Sequence, residues 1–389
     1  MTPLTPFVDW HDEITTWRRD FHAHPELGYD VHRTAAAVAQ KLEAFEVDEV
    51  ITGLGKTGVV GVIRGRQAAP GVVGLRADMD ALPIQELDER PYKSTVAGVM
   101  HACGHDGHTA MLLGAAKYLA ATRRFAGTAV VIFQPAEEGG AGAKAMLDDG
   151  LMDRFAIQQV YGMHNMPGLP VGQFALRPGG IMAATDFFEI KVEGRGGHAA
   201  RPHDCIDPAT VAVQLVQGFQ TIVARNVDPL ESLVISTTQI HLGDTNNVIP
   251  QTATLGGTVR TLTPATRDLA QGRMEAICAA VGQAFGATVS LDYQRLYPVT
   301  VNHLRETAFA AQVAGQVVGE SHVDAAAPPV MGGEDFSFML EARPGAFIFI
   351  GQGDTAGLHH PRFDFNDAII PTGCSYWARL VETALPLAA

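Results

Sequence analysis

The chain has 389 residues. At about 100 to 200 residues per domain, that length predicts two or three domains and a core that folds without covalent staples. Lys plus Arg number 28 against 42 Asp plus Glu, and the net charge of −14 excludes nucleic acid or an anionic membrane surface as the principal partner. Four cysteines without a Cys-x-x-Cys pair exclude a disulfide scaffold. The start has neither a basic nor an apolar leader segment, and no run approaches about 18 apolar residues, so a soluble cytoplasmic protein is expected.

In chain order, residues 11 to 45 read as helical except at the HAHPELGY turn. Short apolar strands follow at GVVGVIRG (58–65), GVVGLRAD (71–78), GTAVVIFQP (127–135) and QQVYGMHN (158–165), with helices at GHTAMLLGAAKYLAAT and GAKAMLDDGLM. Strands apolar nearly throughout are buried on both faces, as in a doubly wound, mostly parallel α/β sheet. LRPGGIMAA (176–184) reads as a hinge. After it the order is β-α-β-β-α-β, with helices over 207–225 and 264–285, which is the ferredoxin-like α+β unit. The remainder resumes the first style, with strand AFIFIGQG (346–353) and a helix from 371. The expected division is therefore a discontinuous catalytic domain, 1–183 and 296–389, interrupted by a satellite domain, 184–295.

Several chemistries are poorly supported. GLGKTG (53–58) has Val50 where a phosphate loop needs Gly, and a strand follows it instead of a helix. Gly-x-Ser-x-Gly and His-Glu-x-x-His are both missing from the sequence. What remains is a set of His, Cys and carboxylate residues placed where apolar strands end, where ligands gather in open α/β sheets. MHACGHDGHT (100–109) offers Cys103, His105, Asp106 and His108; a thiolate and an imidazole two apart on an irregular turn can reach one metal, and the alternative is a polar helix start capped by Asp106. QPAEEGG (134–140) offers adjacent carboxylates that project differently, so that one can bind metal while the other takes a proton from the attacking water. His164 ends the third strand, and His359 and His360 follow the last. Cys103, His105, Glu138, His164 and one of His359 or His360 are more ligands than one structural zinc uses and suit two metals.

Taken in order, HPELGY, RADMDALPI, MHACGHDGHT, QPAEEGGAGA, GMHNMPG, GRGGHAARPHDCIDP, NVIP, GTVRT, GGEDFS and LHHPRFDF resemble the hippurate hydrolase and auxin-conjugate hydrolase branch of the dinuclear metallo-aminoacylase and carboxypeptidase superfamily. The resemblance implies Cys103, His105, Glu138, His164 and His359 as metal ligands, His360 as a variable neighbour, and Glu137 as general base. It implies His198 as oxyanion donor and Asn247 and Arg260 as groups that hold the substrate carboxylate. Asp78 and Asp80 stand where related carboxypeptidases have a metal His and an orienting Asp, and Cys103 where they bridge two metals with an aspartate. His22, Pro25 and Glu26 are read as structural.

The expected protein is a metal-dependent amidohydrolase that cleaves the amide of small N-acyl amino acids. It would use two divalent ions, zinc or manganese first and cobalt or nickel next, and form a homodimer through the satellite domain. The competing readings are an exopeptidase or dipeptidase of the same superfamily and a catalytically silent binder of acyl amino acids or peptides. Retention of both Glu137 and Glu138 argues against the silent binder.

Overall fold

The computed structural model describes residues 4–388. The chain divides into a larger unit, which runs up to Ile181, covers Val301–Pro328 and resumes at Asp335, and a smaller unit, Met182–Thr300 with Pro329–Glu334. In chain order the larger unit contributes strands β1 (Glu49–Leu54), β2 (Gly58–Arg64), β3 (Gln67–Asp78), β4 (Ala126–Gln134), β5 (Gln159–Pro167) and β6 (Phe174–Ala175). The smaller unit contributes β7 (Ala184–Glu193), β8 (Leu233–His241), β9 (Thr252–Thr261) and β10 (Thr288–Tyr297), and the larger closes with β11 (Val323–Asp324) and β12 (Gly345–Gly353).

The larger sheet runs β1-β2-β4-β3-β5-β12-β6-β11. Its centre, β4-β3-β5-β12, is parallel. Strands β4 and β12 are buried along nearly their whole length, which is why their sequences are continuous apolar runs and not alternating ones. The helix His105–Thr122 is likewise apolar on all sides and buried between neighbours. Gly114 lets helices meet there, since a Cβ would strike Cys374 Sγ and the Ile14 side chain.

Three elements depart from the sequence expectation. Strand β1 is an additional antiparallel edge in which Val50 and Ile51 are adjacent and only half-buried, so no alternating pattern marks it. The expected helix over GAKAMLDDGLM is two, Gly142–Asp148 and Leu151–Arg154, divided at Gly150 with φ of 84°. The stretch read as a hinge contains a strand, Gly179–Met182.

The smaller unit is an antiparallel sheet of order β8-β9-β7-β10 with two helices, Pro208–Arg225 and Pro264–Phe285, the ferredoxin-like arrangement. Strand β7 alternates: Phe188, Ile190 and Val192 join Leu215, Phe219, Ile222 and Met274 in the core, while Phe187, Glu189 and Lys191 face out. Both helices start at a side-chain cap followed by Pro, with Asp207 accepting from Ala209 N and Thr263 from Thr266 N. Each cap contributes about 1 kcal/mol. A groove of about 550 Å³ in this unit is lined by Phe187, Thr238, Gln239, His241, Thr258 and Arg260 among others.

Candidate metal centre

The parallel strands of the larger unit end together: Asp78 closes β3 opposite Gln134 of β4, and His164 lies near the end of β5. The His105–Thr122 helix starts at Gly104, whose φ of 95° turns the chain so that Cys103 precedes and His105 opens the first turn. Cys103 Sγ lies 3.3 Å from His164 Nε2. Cys103, His105 and His164 bring ligand atoms within 4.8 Å of one another, and so do Cys103, Glu138 and His359. His105, Glu137 and Glu138 form a further such group. The five ligands and the general base expected of the larger unit are thus gathered in one place, and Cys103 is shared by two of the groups.

Local backbone holds each of them. Ala136, at φ of 54°, ends β4 in a turn that presents Glu137 and Glu138. The buried Asp80 carboxylate accepts both of their backbone N–H groups, from Glu137 at 2.9 Å and from Glu138 at 3.1 Å. Asp80 therefore orients the tandem glutamates, a role that spacing could not disclose because 57 residues separate them. His359 has φ of 62° and donates its N–H to Ala102 O at 2.7 Å, and a left-handed His is a strained residue of the kind that collects at functional sites. Its Nε2 lies 3.1 Å from Glu138 Oε1. His360 instead accepts the Arg362 N–H. His164 donates Nδ1–H to Asn165 O at 2.7 Å, which leaves Nε2 for the thiol side.

The electrostatics call for a cation. Burial pushes the Cys103 thiol well up, and Glu138, Glu137 and Asp78 push it further. Burial also pulls His164 well down, helped by His108. Burial would lower His105 too, but Asp78 and Asp80 drive it up to about 10. Burial opposes ionisation of Glu138, yet His359 and His105 hold it below the usual carboxylate range. Both His105 ring nitrogens are buried and make no close hydrogen bond, with Nδ1 3.5 Å from Asp80 Oδ1 and Nε2 3.7 Å from Asp78 Oδ2. Imidazole nitrogens so placed beside a thiol and several carboxylates form a donor set that fits divalent transition metals, which also stabilise the thiolate that burial alone disfavours.

One placement differs from an alternative that the sequence left open. Asp106 is not the helix cap: Gly104 is, and the Asp106 carboxylate faces His22 Nδ1 at 2.8 Å and Arg18 Nη1 at 3.5 Å. His22, opposed by burial, is pushed up to about 9 by Asp106 and Glu86, so this structural residue also ties the N-terminal helix to the turn that carries His105.

His198, Asn247 and Arg260 belong to the smaller unit. His198 is exposed and pairs with Val248, and its Nδ1 accepts the Ala200 N–H at 3.1 Å. Asn247 O accepts from Ala199 N at 3.0 Å, so these two loops are neighbours. Arg260 is on β9, part-buried, and lines the groove of that unit.

The chain is 42% identical over 380 residues to a hippurate hydrolase of Campylobacter jejuni, covering 98% of each chain. It is 37% identical to an N-acetylcysteine deacetylase of Bacillus subtilis, covering 97% of this chain and 98% of the relative. Among solved structures it resembles a dinuclear metal-binding peptidase of the M20 family from Bacillus subtilis, with a TM-score of 0.85, 34% identity, and coverage of 97% and 99%. Peptidase family M20/M25/M40 matches residues 74–383, and the chain belongs to that family.

Proposed function

We propose that this protein is a metal-dependent amidohydrolase that cleaves small N-acyl amino acids of the hippurate or N-acetyl type into a carboxylic acid and a free amino acid. The observation that carries the reading is the tandem Glu137–Glu138 held by Asp80, with Glu138 beside Cys103 and His359 and Glu137 adjacent. Cys103, His105, Glu138, His164 and His359 are the residues we assign to two divalent ions. Bound there, the ions supply Lewis-acid polarisation of the amide carbonyl and a more acidic attacking water.

The chain's own groups do the rest. Glu137 takes the proton of the attacking water on its carboxylate and passes it to the departing amide nitrogen, base first and acid second. His198 is preset as a donor: because its Nδ1 accepts the Ala200 N–H, its ring proton sits on Nε2, where it can bond an oxyanion. Asn247 and Arg260 are the proposed holders of the substrate carboxylate. For His198→Ala we expect kcat to fall about a hundredfold or more, with metal content unchanged; an unaltered kcat in steady-state assays counts against the donor role.

We also propose a cytoplasmic homodimer that pairs through the smaller unit, whose edge strand β8 carries the exposed Val234 and Ile240. Among the described residues no helix is long and apolar enough to cross a membrane. The functional reading is tested by stripping the metal and assaying benzoyl, acetyl and indoleacetyl amino acids and dipeptides after adding zinc, manganese, cobalt or nickel. Metal-restored release of amino acid from the acylated substrates is expected. Cleavage of dipeptides alone, or tight binding without turnover, overturns it.

A further inference from the structure

Behind the ligand cluster, Asp78, His108 and Asn165 meet. Asp78, His105 and His108 place ligand atoms within 4.8 Å of one another, a spacing that another cation would accept. The occupancy of the donors argues otherwise. Asp78 Oδ1 receives His108 Nδ1–H at 2.6 Å and Oδ2 receives Arg76 Nη1 at 2.8 Å. Arg76 is itself buried and donates to Gln134 Oε1 at 2.7 Å and Asp335 Oδ1 at 3.0 Å. A guanidinium fixed in that position never loses its proton and repels a dication beside Asp78. His108 Nε2 bonds the Asn165 carboxamide oxygen Oδ1 at 2.6 Å, with the Asn165 backbone nitrogen 3.1 Å from the same ring atom.

Asn165 continues the chain outward. Its Nδ2 donates to Gln352 Oε1 at 3.0 Å, and Gln352 Nε2 donates to Thr355 Oγ1 at 2.7 Å, on the way to the loop that carries His359. Inward, Asn165 touches three ligands' supports. Its carbonyl sets the His164 ring. Its carboxamide packs directly on Gly104, between Cys103 and His105, where a Cβ would collide with it. The His108 ring it faces lies 4.5 Å, centre to centre, from the His164 ring.

We propose that Asn165 is a positioning residue: clamped between His108 and Gln352, its carboxamide sets the Cys103–Gly104–His105 turn against His164, so that one thiolate and two imidazoles converge on one ion. Asp78, held by Arg76, anchors His108 and is not a ligand. The inference deepens the metal-dependent reading above and rests on it.

The test uses the full chain loaded with cobalt(II). It reads the thiolate-to-cobalt absorption band, cobalt affinity by competition with a chromophoric chelator, ions bound at saturation, and thermal unfolding of the metal-free protein. For Asn165→Ala, cobalt binding weakens about ten- to a hundredfold and the band shifts, with two ions still bound at saturation. Asp78→Asn likewise keeps two ions. An unchanged band and affinity in Asn165→Ala, whatever happens to metal-free unfolding, overturns the positioning role; loss of one ion in Asp78→Asn makes Asp78 a ligand and overturns its role as anchor. Should Asn165→Ala not fold, Gln352→Ala removes only the far clamp and should move band and affinity the same way by less, and no movement overturns the proposal. Failure of the unaltered protein to bind cobalt at all instead refutes the metal-dependent reading, which distinguishes the two failures.

Discussion

Glu137→Gln is expected to abolish turnover while leaving the metal content intact. The substitution is isosteric and leaves in place the backbone N–H bond from Glu137 to Asp80 at 2.9 Å, so the turn should keep its shape. What it removes is the only property that the mechanism asks of this side chain, a carboxylate able to accept and then return a proton. General acid–base groups contribute about a hundred- to ten-thousandfold each, and Glu137 is required at both ends of the reaction, so the loss should reach the upper part of that range or beyond. The measurement is kcat on the best N-acyl amino acid of the panel, with elemental analysis of bound metal on the same preparation. Retained activity removes Glu137 from the chemistry; lost activity with lost metal shows that it is a ligand instead.

Replacing Cys103 by Ala should have the largest effect on metal binding. Cys103 is shared by the group with His105 and His164 and the group with Glu138 and His359, so its sulfur is the donor through which two ions would be neighbours. No other candidate ligand belongs to both groups. The variant should bind fewer than two ions at saturation and lose activity, whereas loss of His359 should weaken only its own group. Two ions bound with undiminished affinity in Cys103→Ala refutes the shared-ligand assignment.

Much of this centre is legible along the chain because the physics that builds a doubly wound sheet also concentrates chemistry at its strand ends. An apolar run such as AVVIF has to be a buried strand, and the polar residues that follow it have to lie at the sheet's rim. That argument reaches Cys103, His105, Glu137, Glu138, His164 and the His359–His360 pair from spacing and residue type, and the family resemblance then separates His359 from His360. The alternating pattern of β7 reads equally well, since one face of that sheet packs on helices and the other does not. Strand β1 was illegible because an exposed edge needs no hydrophobic face.

Other features depend on residues distant in the chain meeting in space. Asp80 beneath the backbone of Glu137 and Glu138, Asp106 turned to His22 and Arg18 instead of capping its helix, and Asn165 wedged on Gly104 are contacts between segments tens of residues apart, with no periodicity to announce them. Sequence by itself determined the donor types, their order and the strand ends that carry them, because burial and backbone hydrogen bonding impose local patterns. Only tertiary structure decided which carboxylates face the donor cluster and which brace it from behind: a carboxylate's role is set by the partner at its oxygens, and apart from Arg76, two residues back on the same strand, the partners of Asp78 and Asp80 come from a distant helix and turn.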